Sequence, residues 1–259
     1  MFKQEIMNVA EAAVKKASIL RASVSRYIAS SALAGMFVGF GIILIFTIGG
    51  LLSPAKVPST RIVMGVSFGI ALSLVLMAGS ELFTGNNMIM TIGALEKKVT
   101  WMDTIKIWIY SFIGNLIGSF VVAALFTGSG LAEGTTANFV LSAAAAKMSA
   151  PFFELFIRGI LCNILVCLAV WCFFKLKEET AKLIMIFWCL FAFITAGFEH
   201  SVANMTLLSI ALLVPHTSAV SVAGFVYNLA AVTLGNIVGG AVFMGFGYWF
   251  ISKEKMSEF

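Results

Sequence analysis

Apolar runs of bilayer length follow one another along most of the chain, separated by short polar stretches. A helix needs roughly 20 apolar residues to cross the hydrocarbon core of a membrane. By that measure six segments predict spans: 28–51, 61–95, 101–127, 151–174, 183–213 and 220–252. The second and fifth exceed one simple crossing, and each carries polar residues midway. Ahead of the spans, residues 1–27 predict an amphipathic helix. Ile6, Val9, Ala13 and Ile19 supply its apolar side, and Lys3, Lys15, Lys16, Arg21 and Arg26 its charge. It lacks the short apolar core and small-residue cleavage site of a secretory signal. Two readings of it stand: a helix lying against its own protein, or a separate sensor of the lipid surface. The domain organisation is therefore a cytoplasmic helix over 1–27 and one transmembrane domain over 28–259.

Composition points to the same solvent. Hydrophobic residues make up 60% of the 259 and charged residues 11%, with a mean hydropathy of +1.02. Soluble domains carry about 25% charged residues, and a soluble fold with this sequence would expose large apolar patches. The net charge of +5 is no nucleic-acid signal, because Lys and Arg sort by membrane side. Lys56, Arg61, Lys147 and Arg158 fall on one side and the other 13 of the 17 on the side of the N-terminus. Basic loops stay in the cytoplasm, so both termini are predicted there. Cys162, Cys167, Cys172 and Cys189 lie within spans. The first three are five residues apart, a spacing that scatters them around a helix, so they read as apolar side chains rather than a disulfide frame or metal site.

The spans conceal a repeat. Gly79, Glu81, Gly85 and Asn86 match Gly197, Glu199, Ala203 and Asn204 as Gly-x-Glu-x-x-x-small-Asn. Downstream, Gly114, Asn115 and Gly118 match Gly235, Asn236 and Gly239 as Gly-Asn-x-x-Gly, and the two offsets are 118 and 121 residues. Each copy holds three spans, 28–127 and 151–252. Three is odd, so the second copy enters from the opposite side, which defines a 3+3 inverted repeat. The glycines of the second motif read as sites of close helix packing.

The first motif predicts a break in each long span. Glycines lower helix propensity, and non-helical backbone at membrane depth survives only inside protein or beside a wet cavity. Breaks are expected near 80–86 and 197–203, with second half-helices starting at about 87 and 204. Two half-helix N-termini, each carrying roughly half a positive charge, then face the centre from opposite sides and favour an anion. Glu81 and Glu199 read either as a proton relay or as caps on half-helix N–H groups. His200, with a reference pKa near neutrality, reads either as a pathway-lining group opposite Thr84 or as a satisfied core histidine. Lys147 either draws anions toward an entrance or is a solvated loop charge, and Arg158 is expected to pair with Glu154 at i−4.

Four segments carry a family likeness: Glu81–Asn86, Arg158–Asn163, Phe198–Met205 and Thr233–Asn236. They resemble the signature segments of the formate/nitrite transporter family, and the chain is most similar to its hydrosulfide channel branch. The resemblance implies an all-α, aquaporin-like membrane fold assembled as a homopentamer in the bacterial cytoplasmic membrane, with one pore per protomer. The partners it implies are small monovalent anions (formate, nitrite, hydrosulfide and chloride) and the lipid bilayer, with no cofactor and no metal. Phe68 and Phe193 would form an outer hydrophobic constriction; Leu72, Leu82 and Ala203 an inner one. Thr84 would face His200 between them. Lys147 would stand near an outer vestibule that Asn163 helps hold, and Glu199 and Asn204 would belong to the pore.

The leading functional reading is a passive channel for these anions. The alternative is a proton-coupled symporter in which His200 hands a proton to the anion. A water channel would need paired Asn-Pro-Ala turns, and none of Pro54, Pro58, Pro151 and Pro215 follows an asparagine. No nucleophile–base pair, metal spacing or phosphate loop points to an enzyme.

Overall fold

The computed structural model describes residues 2–253 and is all-helical over that range. Helix α1 (Lys3–Ala22) lies ahead of the membrane domain. The first repeat contains α2 (Val24–Leu52), α3 (Thr60–Ser67), α4 (Gly69–Met77), α5 (Phe83–Leu95) and α6 (Trp101–Gly128). Helix α7 (Gly134–Ser149) connects the repeats. The second repeat contains α8 (Phe152–Lys175), α9 (Glu179–Ala196), α10 (Ser201–Leu213), α11 (Val222–Ile237), a π-helical stretch Val238–Phe246 and α12 (Gly247–Ser252). Among the described residues six helical stretches are long and apolar enough to cross a membrane: Val24–Ala55, Thr60–Met77, Trp101–Gly128, Phe152–Lys175, Glu179–Ala196 and Val222–Ser252. Lys255 and the end of the domain expected over 28–259 lie outside the described residues.

Local chemistry sets the helix ends. Ser23 caps α2 by accepting from Arg26 N–H. Thr100 and Asp103 form a reciprocal capping box at the start of α6, which satisfies two donors that a helix start leaves unpaired. Ser221 caps α11 through Gly224 N–H. Within the connection over 128–150, outside the predicted spans, α7 forms around Ala143–Ala146, a run of high helix propensity.

The second-motif glycines act as expected. A methyl group at Gly118 would collide with the carbonyl of Ala32, and one at Gly235 with the carbonyl of Phe156. The pairs α2/α6 and α8/α11 therefore pack backbone against backbone, occupying equivalent places in the two repeats. Helix α1 lies on its own protein: Ile6, Val9, Ala10, Ala13, Ala17 and Leu20 are buried, and Gly93 of α5 receives Ala13. Ile19, expected on that apolar side, is exposed, because Ala17 and Leu20 take the buried stripe at that turn.

Candidate functional site

Both long spans break, each at a left-handed glycine. Helix α4 ends at Met77 and Gly79 has φ +80°; α9 ends at Ala196 and Gly197 has φ +81°. Side chains other than glycine are strained in that conformation. The half-helices resume at Phe83 and Ser201, about one turn earlier than the sequence suggested. The reason is their caps. Asn115 Oδ1 accepts from Phe83 N–H at 2.9 Å while its Nδ2 donates to the carbonyls of Ser31 and Glu81. Asn236 repeats the arrangement: Oδ1 accepts from Ser201 N–H at 2.9 Å, and Nδ2 donates to the carbonyls of Gly159 and Glu199. Glu81 N–H reaches Ser30 O, and Glu199 N–H reaches Arg158 O.

The carboxylates accordingly do not cap backbone, as one reading expected. Glu81 accepts from Lys16 Nζ at 2.8 and 2.9 Å, from Tyr27 OH at 3.0 Å and from Asn86 Nδ2 at 3.2 Å. Glu199 accepts from Lys147 Nζ at 2.6 Å and from Asn204 Nδ2 at 2.6 Å. Asn204 also donates to Asn228 Oδ1, and Asn228 donates to Lys147 O, closing a loop of polar groups. Lys147 is thus neither a loop charge nor a solvated one. It sits on the last turn of α7, and its side chain is 23% exposed. A carboxylate this deep persists because a cation and an amide compensate its lost hydration. Arg158 pairs with Glu154 at 2.6 Å, as its spacing predicted.

Thr84 and His200 meet between the two breaks. Thr84 Oγ1 lies 3.0 Å from His200 Nε2, and both residues are buried. His200 is the first residue before α10, and its Nδ1 accepts from Ala203 N–H at 3.1 Å. Nδ1 therefore carries no proton, which assigns the ring proton of the neutral form to Nε2, on the side of Thr84. The ring of Phe193 lies nearly parallel to the imidazole, with centroids 6.0 Å apart, and Phe68 meets Phe193 edge to face at 5.6 Å.

Two cavities flank this cluster. A chamber of about 610 Å³ opens on the side away from α1, and its walls include Arg61, Lys147, Phe193, Glu199, His200 and Asn204. A void of about 10 Å³ lies between Phe68, Phe193 and His200 and the apolar side chains Leu72, Leu82 and Val166. It is at the lower limit for holding one water. Ala203, expected beside Leu72 and Leu82, lines the large chamber instead, because the earlier start of α10 puts it in the first turn. Asn163 is not on the chamber wall. From the middle of α8 its Nδ2 lies 3.2 Å from Thr84 O, 3.1 Å from Asn87 Oδ1 and 2.6 Å from Asn236 O, so it holds the half-helix that presents Thr84.

Sequence reasoning missed Lys16, Tyr27 and Asn228 as members of the polar clusters. Asn228 carried a signal, an amide inside an apolar span. Lys16 carried none beyond being one of four cations on α1; Arg26, expected on the same helix, lies on α2. The four cysteines are free, and Cys162, Cys167 and Cys189 are buried.

Six spans in two equivalent sets, each with a half-helix ending on a polar centre, define a polytopic transport protein. The formate/nitrite transporter family model matches residues 3–250, and the chain belongs to that family. Membership makes it a membrane transport protein rather than an enzyme. It is 46% identical over 255 residues to the nitrite transporter NirC of Escherichia coli, covering 98% of this chain and 94% of that protein. It is 37% identical over 248 residues to a probable formate transporter of Methanothermobacter thermautotrophicus, covering 89% and 90%. Among solved structures, an FNT family ion channel superposes with a TM-score of 0.92 at 45% identity, covering 97% of this chain and 100% of that one. A pentameric formate channel with formate bound superposes with a TM-score of 0.77 at 27% identity, covering 90% and 98%.

Proposed function

We propose that the protein is a passive channel for small monovalent anions, with nitrite and formate as its first substrates and hydrosulfide and chloride as further ones. One observation carries the reading: the contact between Thr84 and His200. It stands at the N-terminal ends of two half-helices, and Phe68, Phe193, Leu72 and Leu82 line the small void beside His200. An anion leaving the chamber loses hydration at the aromatic pair. Two helix dipoles and the Nε2–H of His200 then stabilise it. The pair Phe68 and Phe193 acts as the outer constriction, with Leu72 and Leu82 on the inner side. Lys147, Glu199 and Asn204 shape the field of the chamber.

Nitrite and formate come first because the relatives named above carry those anions in their names. Hydrosulfide rests on the branch resemblance alone. The likeness to a pentameric channel supports a homopentamer with one pore in each protomer, and the opposed half-helices support an aquaporin-like arrangement. The excess of Lys and Arg on the α1 side supports cytoplasmic termini in the bacterial cytoplasmic membrane.

The experiment compares nitrite, formate and hydrosulfide flux in one preparation of proteoliposomes, with and without a pH gradient. Currents that reverse at the anion equilibrium potential, whatever the pH gradient, support the channel. A reversal potential that moves with the proton gradient assigns the protein to symport of the same weak acids.

A further inference from the structure

On the α1 side of the molecule, a shallow basin of about 890 Å³ is formed by the end of α5, the start of α6, the end of α1 and the end of α12. It shares no lining residue with the chamber at His200. Four cations and two carboxylates face it: Arg21, Lys97, Lys98 and Lys253, with Glu96 and Asp103. Both carboxylates are already engaged. Asp103 pairs with Arg21 at 2.7 Å and closes the capping box with Thr100. Glu96 accepts from Trp249 Nε1–H at 2.8 Å. Among the described residues no carboxylate pairs with Lys97, Lys98 or Lys253; Lys253 lies over the Trp249 ring at 3.8 Å. The basin therefore keeps an excess of positive charge that its own acids do not neutralise.

The backbone is shaped to present that charge. Lys97 adopts φ +57°, one of two non-glycine residues described with positive φ. A side chain held there costs of order 1 kcal/mol or more, and such strain gathers at functional sites. The turn is locked by Lys97 N–H on Ala94 O and by Lys98 and Val99 N–H on Gly93 O, which leaves both lysine side chains exposed.

Below the basin the surface becomes apolar. Trp101 stands on its wall, and Ile105 and Ile109 continue the same face of α6 one and two turns further into the bilayer, all three exposed. Phe246, also exposed, lies one turn before Trp249 with the ring centroids 5.9 Å apart. A cationic seat at the membrane surface, continuous with apolar stripes running inward, matches the two ends of a lipid.

We propose that this basin binds an anionic phospholipid, with the phosphate among Lys97, Lys98 and Lys253 and the acyl chains along the Trp101–Ile109 face. Trp101 and Trp249 sit at the headgroup level, where indole rings are favoured. The site is independent of the anion pathway, so it stands or falls apart from the transport reading.

The test uses the full-length protein in a neutral detergent and follows its thermal unfolding midpoint. Short-chain phosphatidylglycerol, short-chain phosphatidylcholine and inorganic phosphate are titrated separately. At about ten times the dissociation constant, phosphatidylglycerol is expected to raise the midpoint by about 2–4 °C, while the other two leave it unchanged. The triple variant K97Q/K98Q/K253Q loses the rise, K97R/K98R/K253R keeps it, and K56Q on the far side keeps it. An equal rise with phosphatidylcholine overturns the charge argument. An equal rise with inorganic phosphate turns the basin into a free-anion site and overturns the lipid. A rise that persists in the glutamine variant moves the lipid elsewhere and also overturns the proposal. Should that variant not fold, the three titrations of the unaltered protein decide alone.

Discussion

The side-chain oxygens of Asn115 and Asn236 each accept the first backbone N–H of a half-helix, at the same 2.9 Å. Each amide also donates two hydrogen bonds to carbonyls, one on the first helix of its repeat and one at the break itself. One asparagine thus satisfies three buried backbone groups that a helix break would otherwise leave unpaired. The two breaks are held by the same device in opposite orientations.

Replacing either asparagine removes all three bonds. Asn236→Leu and Asn115→Leu are each expected to destabilise the protein by at least about 1–3 kcal/mol, the cost of leaving a buried polar group unmet. Thermal unfolding in detergent reads this directly. An unaltered midpoint in both variants would show that the caps do not hold the breaks.

Lys147 and Glu199 form an ion pair in which Glu199 is nearly fully buried and Lys147 retains some exposure. Removing one partner strands a charge, which for buried pairs costs about 3–5 kcal/mol; the exposure of Lys147 puts this pair at or below the low end. Lys147→Met and Glu199→Gln are each expected to destabilise more than half as much as that, and the double variant less than their sum. A double-mutant cycle in unfolding measurements checks it. Effects that add within about 0.5 kcal/mol would mean the two side chains are not coupled.

Lys16 and Glu81 form the corresponding pair at the other break, and here the cation comes from α1. Lys16→Gln is expected to loosen α1 from α5 and speed amide hydrogen exchange over 3–22, while exchange over α8 and α11 stays unchanged. Equal exchange over 3–22 in both proteins would show that apolar packing alone docks the helix.

The Thr84–His200 contact is expected to matter for flux more than for folding. His200→Asn keeps an acceptor for Ala203 N–H but shortens the reach toward Thr84. Nitrite flux in proteoliposomes should fall about tenfold or more, equivalent to roughly 1.4 kcal/mol on the barrier. Thr84→Val, which preserves shape, should lower flux less. Wild-type flux in both would remove the pair from the pathway.

Phe193, backed by Phe68, lines both the large chamber and the small void. Phe193→Ala joins them and should raise acetate flux relative to formate flux several-fold. The same substitution costs stability, about 3–5 kcal/mol for a buried Phe→Ala, so flux is normalised to folded protein. An unchanged acetate-to-formate ratio would place the constriction elsewhere.

Much of this architecture was legible in the chain. Apolar runs of bilayer length fix the number of spans, because only a helix satisfies its own backbone in lipid. The paired motifs at offsets of 118 and 121 residues disclose the repeat, and their glycines mark the breaks. Thr84 and His200 could be named as partners because two breaks related by inversion must face each other. What the motif spacing left open was the task of each polar group. Glu81 and Glu199 read either as a proton relay or as caps on half-helix N–H groups, since a carboxylate suits both.

Tertiary structure shows an arrangement that neither reading contained. Asn115 and Asn236 take the backbone groups, which frees the carboxylates for Lys16 and Lys147. Those two cations lie 65 and 52 residues from their partners, on helices outside the broken spans. Periodicity reports which face of a helix meets lipid, and local motifs report where a helix stops. Neither records which distant side chain arrives at a break, because that depends on how whole helices cross. The place of Ala203 was likewise a matter of packing: it lines the large chamber and not the void at Leu72 and Leu82. The sequence by itself determined a repeated, twice-broken membrane fold, and only the packed helices decided how the charges at its centre are compensated.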